Sequence, residues 1–361
     1  MNSSRYANLN RLQSRIVAGV VLTVTLLCVW ISNSKYRISF EDRPHRASND
    51  IDLYYAETRS VWEGESYYEA AHRELKARGY PTHSLFNWRT PLPMWLLGQF
   101  PDPLFGRWVL GLMGIGLVLA GSLIVYREGS FLEAFLAGLL LGGTTIPIFA
   151  GVLFVMPVLW AGVMIGLSLC CFKLERPYLA VFFGIAAAFF RELAVGYCLL
   201  MLSFAVMKRN RREAVAWVIA LVSYAIFFAS HAIIVSSLLG FRGIVQTDDW
   251  LRFGGPSFLI ACAHVSGFLL VLPQWVAALF LCFAVFGLIG WKSEMGLRTG
   301  LTTAGYLAVF SIFGKEVNQY WGAMIAPLLC MGFAKSPTAV CDLLRSVRGK
   351  SATPLATANQ Q

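Results

Sequence analysis

The chain contains repeated apolar runs of the length that crosses a lipid bilayer, and this feature restricts its fold more than any other. The first run, at 16–32, reads IVAGVVLTVTLLCVWIS. An α-helix rises about 1.5 Å per residue, so about 20 apolar residues span the hydrocarbon of a membrane. Since 57% of the 361 residues are hydrophobic and only 14% are charged, a soluble core could not enclose this much apolar surface. The sequence predicts an all-α polytopic membrane protein.

Ten apolar runs predict about ten transmembrane helices. The first run follows Arg5, Arg11 and Arg15 and lacks a small-x-small cleavage site, so we interpret it as an anchor and not as a removed signal peptide. The runs at 177–190 and 194–208 are each too short to cross the bilayer, and they predict a short helical hairpin at 177–208. The expected helices lie near 14–33, 104–126, 131–149, 152–172, 177–190, 194–208, 212–236, 274–291, 299–313 and 319–335.

Lysines and arginines between the runs predict the orientation, because such residues concentrate on the cytoplasmic side. If the chain crosses the membrane ten times, these lysines and arginines and both termini all lie on the cytoplasmic side. The opposite face receives a first extracytoplasmic loop, 34–103, and a second, 237–273. We expect the run 256–271 to be interfacial or re-entrant, since an eleventh crossing would move the basic tail outside. The basic positions are Arg127, Lys173, Arg176, those in 208–212, Lys292, Arg298, Lys335, Arg345, Arg348 and Lys350.

This topology predicts one transmembrane domain, 1–335, and a cytoplasmic tail, 336–361, whose end we expect to be disordered. It also accounts for the net charge of +10 without a nucleic-acid partner. Seven of the eight cysteines lie in apolar stretches, which argues against a disulfide framework and a zinc site. The patterns GxxxxGKS/T, GxGxxG, HExxH and GxSxG do not occur in the sequence, so soluble nucleotide chemistry is not indicated.

An acidic and aromatic segment, NDIDLYYAETRSVWEGESYY at 49–68, follows the first apolar run. Ser48 or Asn49 is expected to cap a helix that ends near Gly64, and a second short helix is expected from about Ser66 to Ala77. Helical spacing places four residues on one stripe, which slightly favours Asp52 over Asp50 as a functional acid. The alternative is that these carboxylates only solvate the outer face of two amphipathic helices on the membrane surface. The stripe consists of Asp52, Tyr55, Arg59 and Trp62.

The hairpin segment GIAAAFFRELAVGYCLL, at 184–200, places Arg191 and Glu192 between two apolar halves. An ionisable group at such a depth costs about 2.5 to 3.5 kcal/mol on insertion scales, so it is rarely kept without a role. A guanidinium here suits a phosphate or a carboxylate, and Glu192 could orient it. The alternative is a local ion pair that ties the hairpin together.

A third polar cluster, FGKEVNQYWGAMIAPLL at 313–329, separates two apolar runs. Lys315 lies on the face where positive charge is normally depleted, which indicates a ligand-binding role. Tyr320 and Trp321 are more typical of an interfacial aromatic belt. Weaker candidates for a divalent cation are Glu69 with His72, the loop histidines His45 and His83, and the pair Asp248 and Asp249.

The order of these motifs resembles that of the membrane glycosyltransferases of the GT-C fold. The resemblance rests on the acidic loop, on RTPLPMWLLGQFPDPLFGRWVLGLMG at 89–114, on FFREL and on NQYWGAMIAPLL. It implies a polyprenyl-phosphate-linked sugar as donor, Asp52 or Asp50 as the catalytic base, and Arg191 at the donor phosphate, with Lys315 as a second phosphate contact. The remaining substrate-binding candidates are Glu192, Tyr55, Arg59, Arg89, Asn318 and Tyr320.

From the resemblance we expect a glycosyltransferase of the bacterial inner membrane that acts on its extracytoplasmic face. The expected acceptor is a glycan, a lipid or a protein. A divalent cation is a possible cofactor, and we expect no other. A transporter or flippase for a lipid-linked or anionic solute is the main alternative, since it would also need Arg191. It would normally show a repeat-related pair of broken helices, of which we find one. A third alternative is a non-catalytic scaffold.

Overall fold

The computed structural model describes residues 3–34, 46–80, 82, 85–239 and 253–349. Within these ranges the chain is all-helical and has no β-strand. Short 3-10 segments join several of the α-helices. The α-helices are α1 (Arg11–Ser34), α2 (Arg46–Trp62), α3 (Tyr67–Ala77), α4 (Leu92–Gly98), α5 (Gly106–Arg127), α6 (Phe131–Thr145), α7 (Pro157–Lys173), α8 (Pro177–Phe190), α9 (Val195–Met207), α10 (Arg211–Leu238), α11 (Gly255–His264), α12 (Gln274–Gly290), α13 (Glu294–Ile312) and α14 (Gly322–Val347).

Five of the described helical segments are long and apolar enough to cross a membrane. The helical, membrane-embedded character predicted from the sequence is therefore supported, whereas the number of about ten crossings stays a prediction. Four further apolar helices, α7, α8, α9 and α12, are shorter. The five long segments are Arg11–Asn33, Pro103–Arg127, Phe131–Phe149, Arg211–Leu238 and Asn318–Val347.

Most helices follow the apolar runs closely, including the short ones, but α14 continues to Val347, beyond the run predicted to end at 335. Helices α8 and α9 meet at a 3-10 turn, Glu192–Ala194, which forms the tip of the expected hairpin. Helix α11 has 10 residues, and a helix of that length rises about 15 Å, roughly half of the hydrocarbon thickness. It is too short to cross the bilayer alone.

Helix α14 lies at the centre of the bundle and packs against α12, α7, α6 and α13. Its contact with α12 depends on two glycines, because a Cβ atom added to Gly287 would lie 2.0 Å from the carbonyl oxygen of Gly332. Small residues let membrane helices approach at backbone distance, and the close van der Waals packing at that distance stabilises the pair. The start and the end of α14 lie at opposite ends of the bundle.

Several basic residues form ion pairs at the end of the bundle where α5 and α7 end. Lys173 pairs with Glu128 at 2.6 Å, and Lys335 pairs with Glu133 at 2.7 Å. Arg298, which is 1% exposed, pairs with Glu213 at 3.3 Å. This grouping agrees with the shared face predicted for the basic residues, while the side of the membrane on which it lies stays a prediction.

Three shorter helices, α2, α3 and α4, lie at the other end, and α2 packs against both α3 and α4. Helix α3 begins after Ser66 and ends at Ala77, as predicted. Helix α2 is already helical at Arg46, so Ser48 and Asn49 lie in its first turn and the predicted cap at these positions is wrong.

Candidate functional site

The inward face of α2 presents Asp50, Tyr54 and Glu57, which are spaced four and three residues apart. This spacing places them on one side of a helix. Tyr54 is 3% exposed and Glu57 is 2% exposed, and Asp50 is half-buried. Polar side chains on a buried helix face need partners or a ligand, because an unsatisfied buried polar group costs about 1 to 3 kcal/mol.

The stripe predicted from the sequence is the other face of the same helix. Asp52 is exposed. It lies two residues after Asp50, and two residues along a helix rotate the side-chain direction by about 200°, so Asp52 lies on the opposite side of α2. The Arg59 side chain is 65% exposed and pairs with Glu63 at 2.9 Å. Tyr55 is half-buried and Trp62 is 47% exposed. These residues share a face, as expected, but Asp52 and Arg59 on that face are exposed and do not point into the bundle.

Asp50 accepts hydrogen bonds from two tyrosines of different segments. The Tyr80 hydroxyl donates to Oδ1 at 2.6 Å, and the Tyr320 hydroxyl donates to Oδ2 at 3.4 Å. Burial and the bond to the Asp50 carboxylate both raise the pKa of Tyr80, which keeps its hydroxyl in the donating form. Asp50 thus joins α2 to the segment after α3 and to the 3-10 turn Glu316–Trp321.

Arg89 links the inward face of α2 to the hairpin tip. Its Nε donates to the Tyr54 hydroxyl at 2.7 Å, and its backbone carbonyl accepts from the Tyr67 hydroxyl at 2.7 Å. Its Nη1 lies 3.5 Å from a carboxylate oxygen of Glu192. Because the same Glu192 oxygen lies 3.3 Å from Nη1 of Arg191, one carboxylate sits between two guanidinium groups.

Arg191 is buried at the hairpin tip and has unused hydrogen-bonding capacity. It is 3% exposed, and its backbone is extended between α8 and the following 3-10 turn. Among the described residues its Nε–H has no acceptor, and neither does the Nε1–H of the neighbouring Trp321 indole, whose ring centre lies 5.9 Å from the guanidinium carbon. Two adjacent buried donors without acceptors are rare in folded proteins, and they mark a place where an anion could bind.

Glu57 is a buried acid in the same region that sequence reasoning missed. One of its carboxyl oxygens, Oε2, has no hydrogen-bond partner within the described ranges. Burial raises the pKa of Glu57 to about 8, against an opposing effect of Arg89. Glu57 is therefore mainly protonated at neutral pH. The spacing of Asp50, Tyr54 and Glu57 with the apolar Leu53 and Val61 is the signal that could have identified this face.

A cavity of about 840 Å³ lies beside this network, between the short helices and α10. Tyr67 and Tyr68 line it, and the Tyr68 hydroxyl is 3.0 Å from Nδ1 of His231 on α10. Asp50 and Arg191 are not among its lining residues. Tyr67 therefore connects the cavity to the network through its bond to the Arg89 carbonyl.

The predicted residues Lys315 and Asn318 lie in or next to the 3-10 turn before α14, whereas His72 lies in α3. Lys315 and Asn318 are half-buried, and the Asn318 backbone N–H donates to the Lys315 carbonyl at 2.9 Å. His72 packs against Trp88 at 5.8 Å between ring centres. Within the described ranges no group of three or more His, Cys, Asp or Glu side chains is placed to hold a metal ion. His45, His83, Asp248 and Asp249 lie outside the described residues.

Comparison of the chain with protein-family models, with curated proteins and with solved structures finds no match.

Proposed function

We propose that this chain is an integral-membrane glycosyltransferase that transfers a sugar from a polyprenyl-phosphate-linked donor to an acceptor hydroxyl on the extracytoplasmic face. The observation that supports it most is the pair of unsatisfied buried donors on Arg191 and Trp321. A donor phosphate would accept from both while its prenyl tail stays in lipid. Glu192 and Arg89 would hold the guanidinium in place.

In this proposal Asp50 is the base, in preference to Asp52. Asp50 faces the bundle between Tyr80 and Tyr320, whereas Asp52 faces outward. The acceptor oxygen attacks the anomeric carbon, its proton passes to the Asp50 carboxylate, and the bond from the sugar to the phosphate oxygen breaks. The leaving lipid phosphate keeps the bonding electrons, and Arg191 stabilises the negative charge that develops on it.

A transporter or flippase for an anionic lipid-linked solute is the second candidate, because the same buried Arg191 would serve it. The two functions differ in what Asp50 does. A transporter needs no base and leaves the sugar-phosphate bond intact, whereas the transferase breaks it and releases lipid phosphate.

The test uses the full chain in lipid nanodiscs with a panel of polyprenyl-phosphate sugars and measures released lipid phosphate. Asp50→Asn should lower the turnover by about 100-fold or more, the usual contribution of a general base, and Arg191→Gln should weaken donor use. Asp52→Asn is the matched control and should stay within about twofold of wild type, since an exposed carboxylate makes no contact in this network. Equal turnover in all four proteins, or none with any donor, would contradict the proposal.

A further inference from the structure

A second cavity, of about 350 Å³, lies at the other end of the bundle, among the gathered ion pairs. Its volume falls at the lower end of small-molecule sites, which range over about 300 to 1,000 Å³. Besides the Glu128 carboxylate, its polar lining consists mainly of hydroxyl and ammonium groups. These groups belong to Ser3, Ser4, Ser293, Thr338, Lys292 and Lys335.

Lys335 has a donor to spare in this cavity. The side chain is 7% exposed, and its ammonium group donates to the Glu133 carboxylate at 2.7 Å and to the Glu128 carbonyl at 3.1 Å. An ammonium group has three N–H donors, so one is left without an acceptor among the described residues. The Trp291 ring centre lies 5.7 Å from the nitrogen and supports the charge from one side.

Ser4 provides an independent indication of a missing ligand. It is 7% exposed, and its hydroxyl oxygen has no hydrogen-bond partner in the part of the chain that the structure describes. Its backbone N–H is already used by the Asp342 carboxylate at 2.6 Å. A buried hydroxyl that lines a polar cavity without a partner is the kind of unsatisfied group that a bound ligand explains.

The charges around the cavity leave an excess of one positive charge. Glu128 pairs with Lys173, and its other carboxylate oxygen accepts from the Trp291 indole and the Ser293 hydroxyl, both at 2.7 Å. Glu133 pairs with Lys335, and Asp342 lies 3.8 Å from Arg345. Lys292 is exposed and donates to the Ser3 hydroxyl at 2.9 Å. It has no carboxylate partner in the described part of the chain.

We propose that this cavity binds a phosphate group, either the phosphate of an anionic lipid headgroup or a free phosphate, held by Lys292, Lys335 and the Ser4 hydroxyl. Ammonium and hydroxyl donors around a concave site at the end of membrane helices are the features that recognise lipid phosphates. The site lies at the far end of α14 from Arg191 and does not depend on the proposed transferase activity.

The first arm of the test measures the thermal unfolding midpoint of the full chain in neutral detergent, with inorganic phosphate against chloride at equal ionic strength. All proteins carry Arg191→Gln, so that phosphate bound near Trp321 does not contribute. Saturating phosphate should raise the midpoint by about 4 °C. Lys292→Gln and Ser4→Ala should each remove at least about half of that shift. Lys76→Gln, which changes an exposed lysine of α3, is the matched control and should keep it.

The second arm distinguishes the two sources by comparing nanodiscs of phosphatidylcholine with nanodiscs that also contain phosphatidylglycerol. A rise in the midpoint with phosphatidylglycerol that depends on Lys292 identifies a lipid headgroup as the ligand. A response to inorganic phosphate alone that depends on Lys292 identifies a soluble anion. No shift in either arm, or shifts that Lys292→Gln and Ser4→Ala leave unchanged, would overturn the proposal.

Discussion

Asp50 and Arg191 contact consecutive residues of one turn, Tyr320 and Trp321. Asp50 belongs to the first loop and Arg191 to the hairpin tip, so the turn before α14 brings the two segments together. A second connection runs through Tyr54, Arg89 and Glu192. A base candidate and a phosphate-binding candidate are therefore held in one polar network.

The Trp321 indole N–H provides a test that separates ligand binding from folding. Trp321→Phe keeps an aromatic ring beside Arg191 and removes a donor that has no acceptor among the residues the structure describes. We expect the midpoint of thermal unfolding to change little and the Michaelis constant for the donor to rise about tenfold, the effect of one hydrogen bond to a charged group.

Trp160→Phe is the matched control for that substitution. The Trp160 indole N–H donates to the Phe154 carbonyl at 2.7 Å, so its loss should lower stability by about 1 kcal/mol. Donor affinity should not change. If Trp321→Phe were instead the more destabilising of the two, with unaltered donor affinity, the N–H would not face a ligand.

Glu57 predicts a specific dependence of stability on pH. Its pKa is about 8 in the folded protein against an ordinary value of 4.5. Below the ordinary value both states hold the proton. As the pH rises from there to about 8, the unfolded chain releases the proton and the folded chain keeps it, so stability falls by an amount on the order of a few kcal/mol. Above about pH 8 both states have released the proton, so the loss of stability no longer changes with pH.

Glu57→Gln should remove this loss, because a neutral amide has no proton to release. Unfolding midpoints of wild type and variant should diverge in favour of the variant between pH 5 and pH 8. Glu63→Gln changes an acid whose side chain is 54% exposed and should follow wild type at each pH. Parallel curves for wild type and Glu57→Gln would show that the carboxyl is not held neutral.

The close contact between α12 and α14 predicts that a larger side chain at their interface destabilises the protein. Gly287→Ala would bring a methyl group to 2.0 Å from the Gly332 carbonyl oxygen, so the helices must separate, with a destabilisation of about 1 to 3 kcal/mol or more. Gly305→Ala is the control, since a Cβ there meets nothing within 4 Å. It should be neutral or slightly stabilising when both are measured by thermal unfolding in the same detergent.

The sequence predicted the helices well because membrane-length apolar runs leave few alternatives to a helix. The hairpin at 177–208, its polar tip and the helix after Ser66 all follow from local pattern. Arg191 was identifiable because a charge between two apolar halves is unusual.

The sequence did not identify which face of α2 points inward. Both stripes of that helix contain an acid and a tyrosine, and the choice depends on contacts with Tyr80 and Tyr320, which are distant along the chain. The sequence also did not indicate that Glu57 is buried, because a glutamate in an acidic loop is usually solvated. The cavity near Lys335 depends on residues from the N-terminal segment, from the ends of α5, α12 and α13, and from the interior of α14, which no local pattern relates.

The most direct test of the central proposal is single-turnover kinetics of lipid-phosphate release with Asp50→Asn, Arg191→Gln and the double variant. If both residues act on one bound donor, Asp50→Asn should slow the chemical step with donor affinity unchanged. Arg191→Gln should weaken donor binding and also slow the chemical step, because Arg191 stabilises the charge on the leaving phosphate. The double variant should then differ from the sum of the single effects by more than about 0.5 kcal/mol. Strictly additive losses, or chemistry that proceeds at the wild-type rate without the Asp50 carboxylate, would contradict a shared active site.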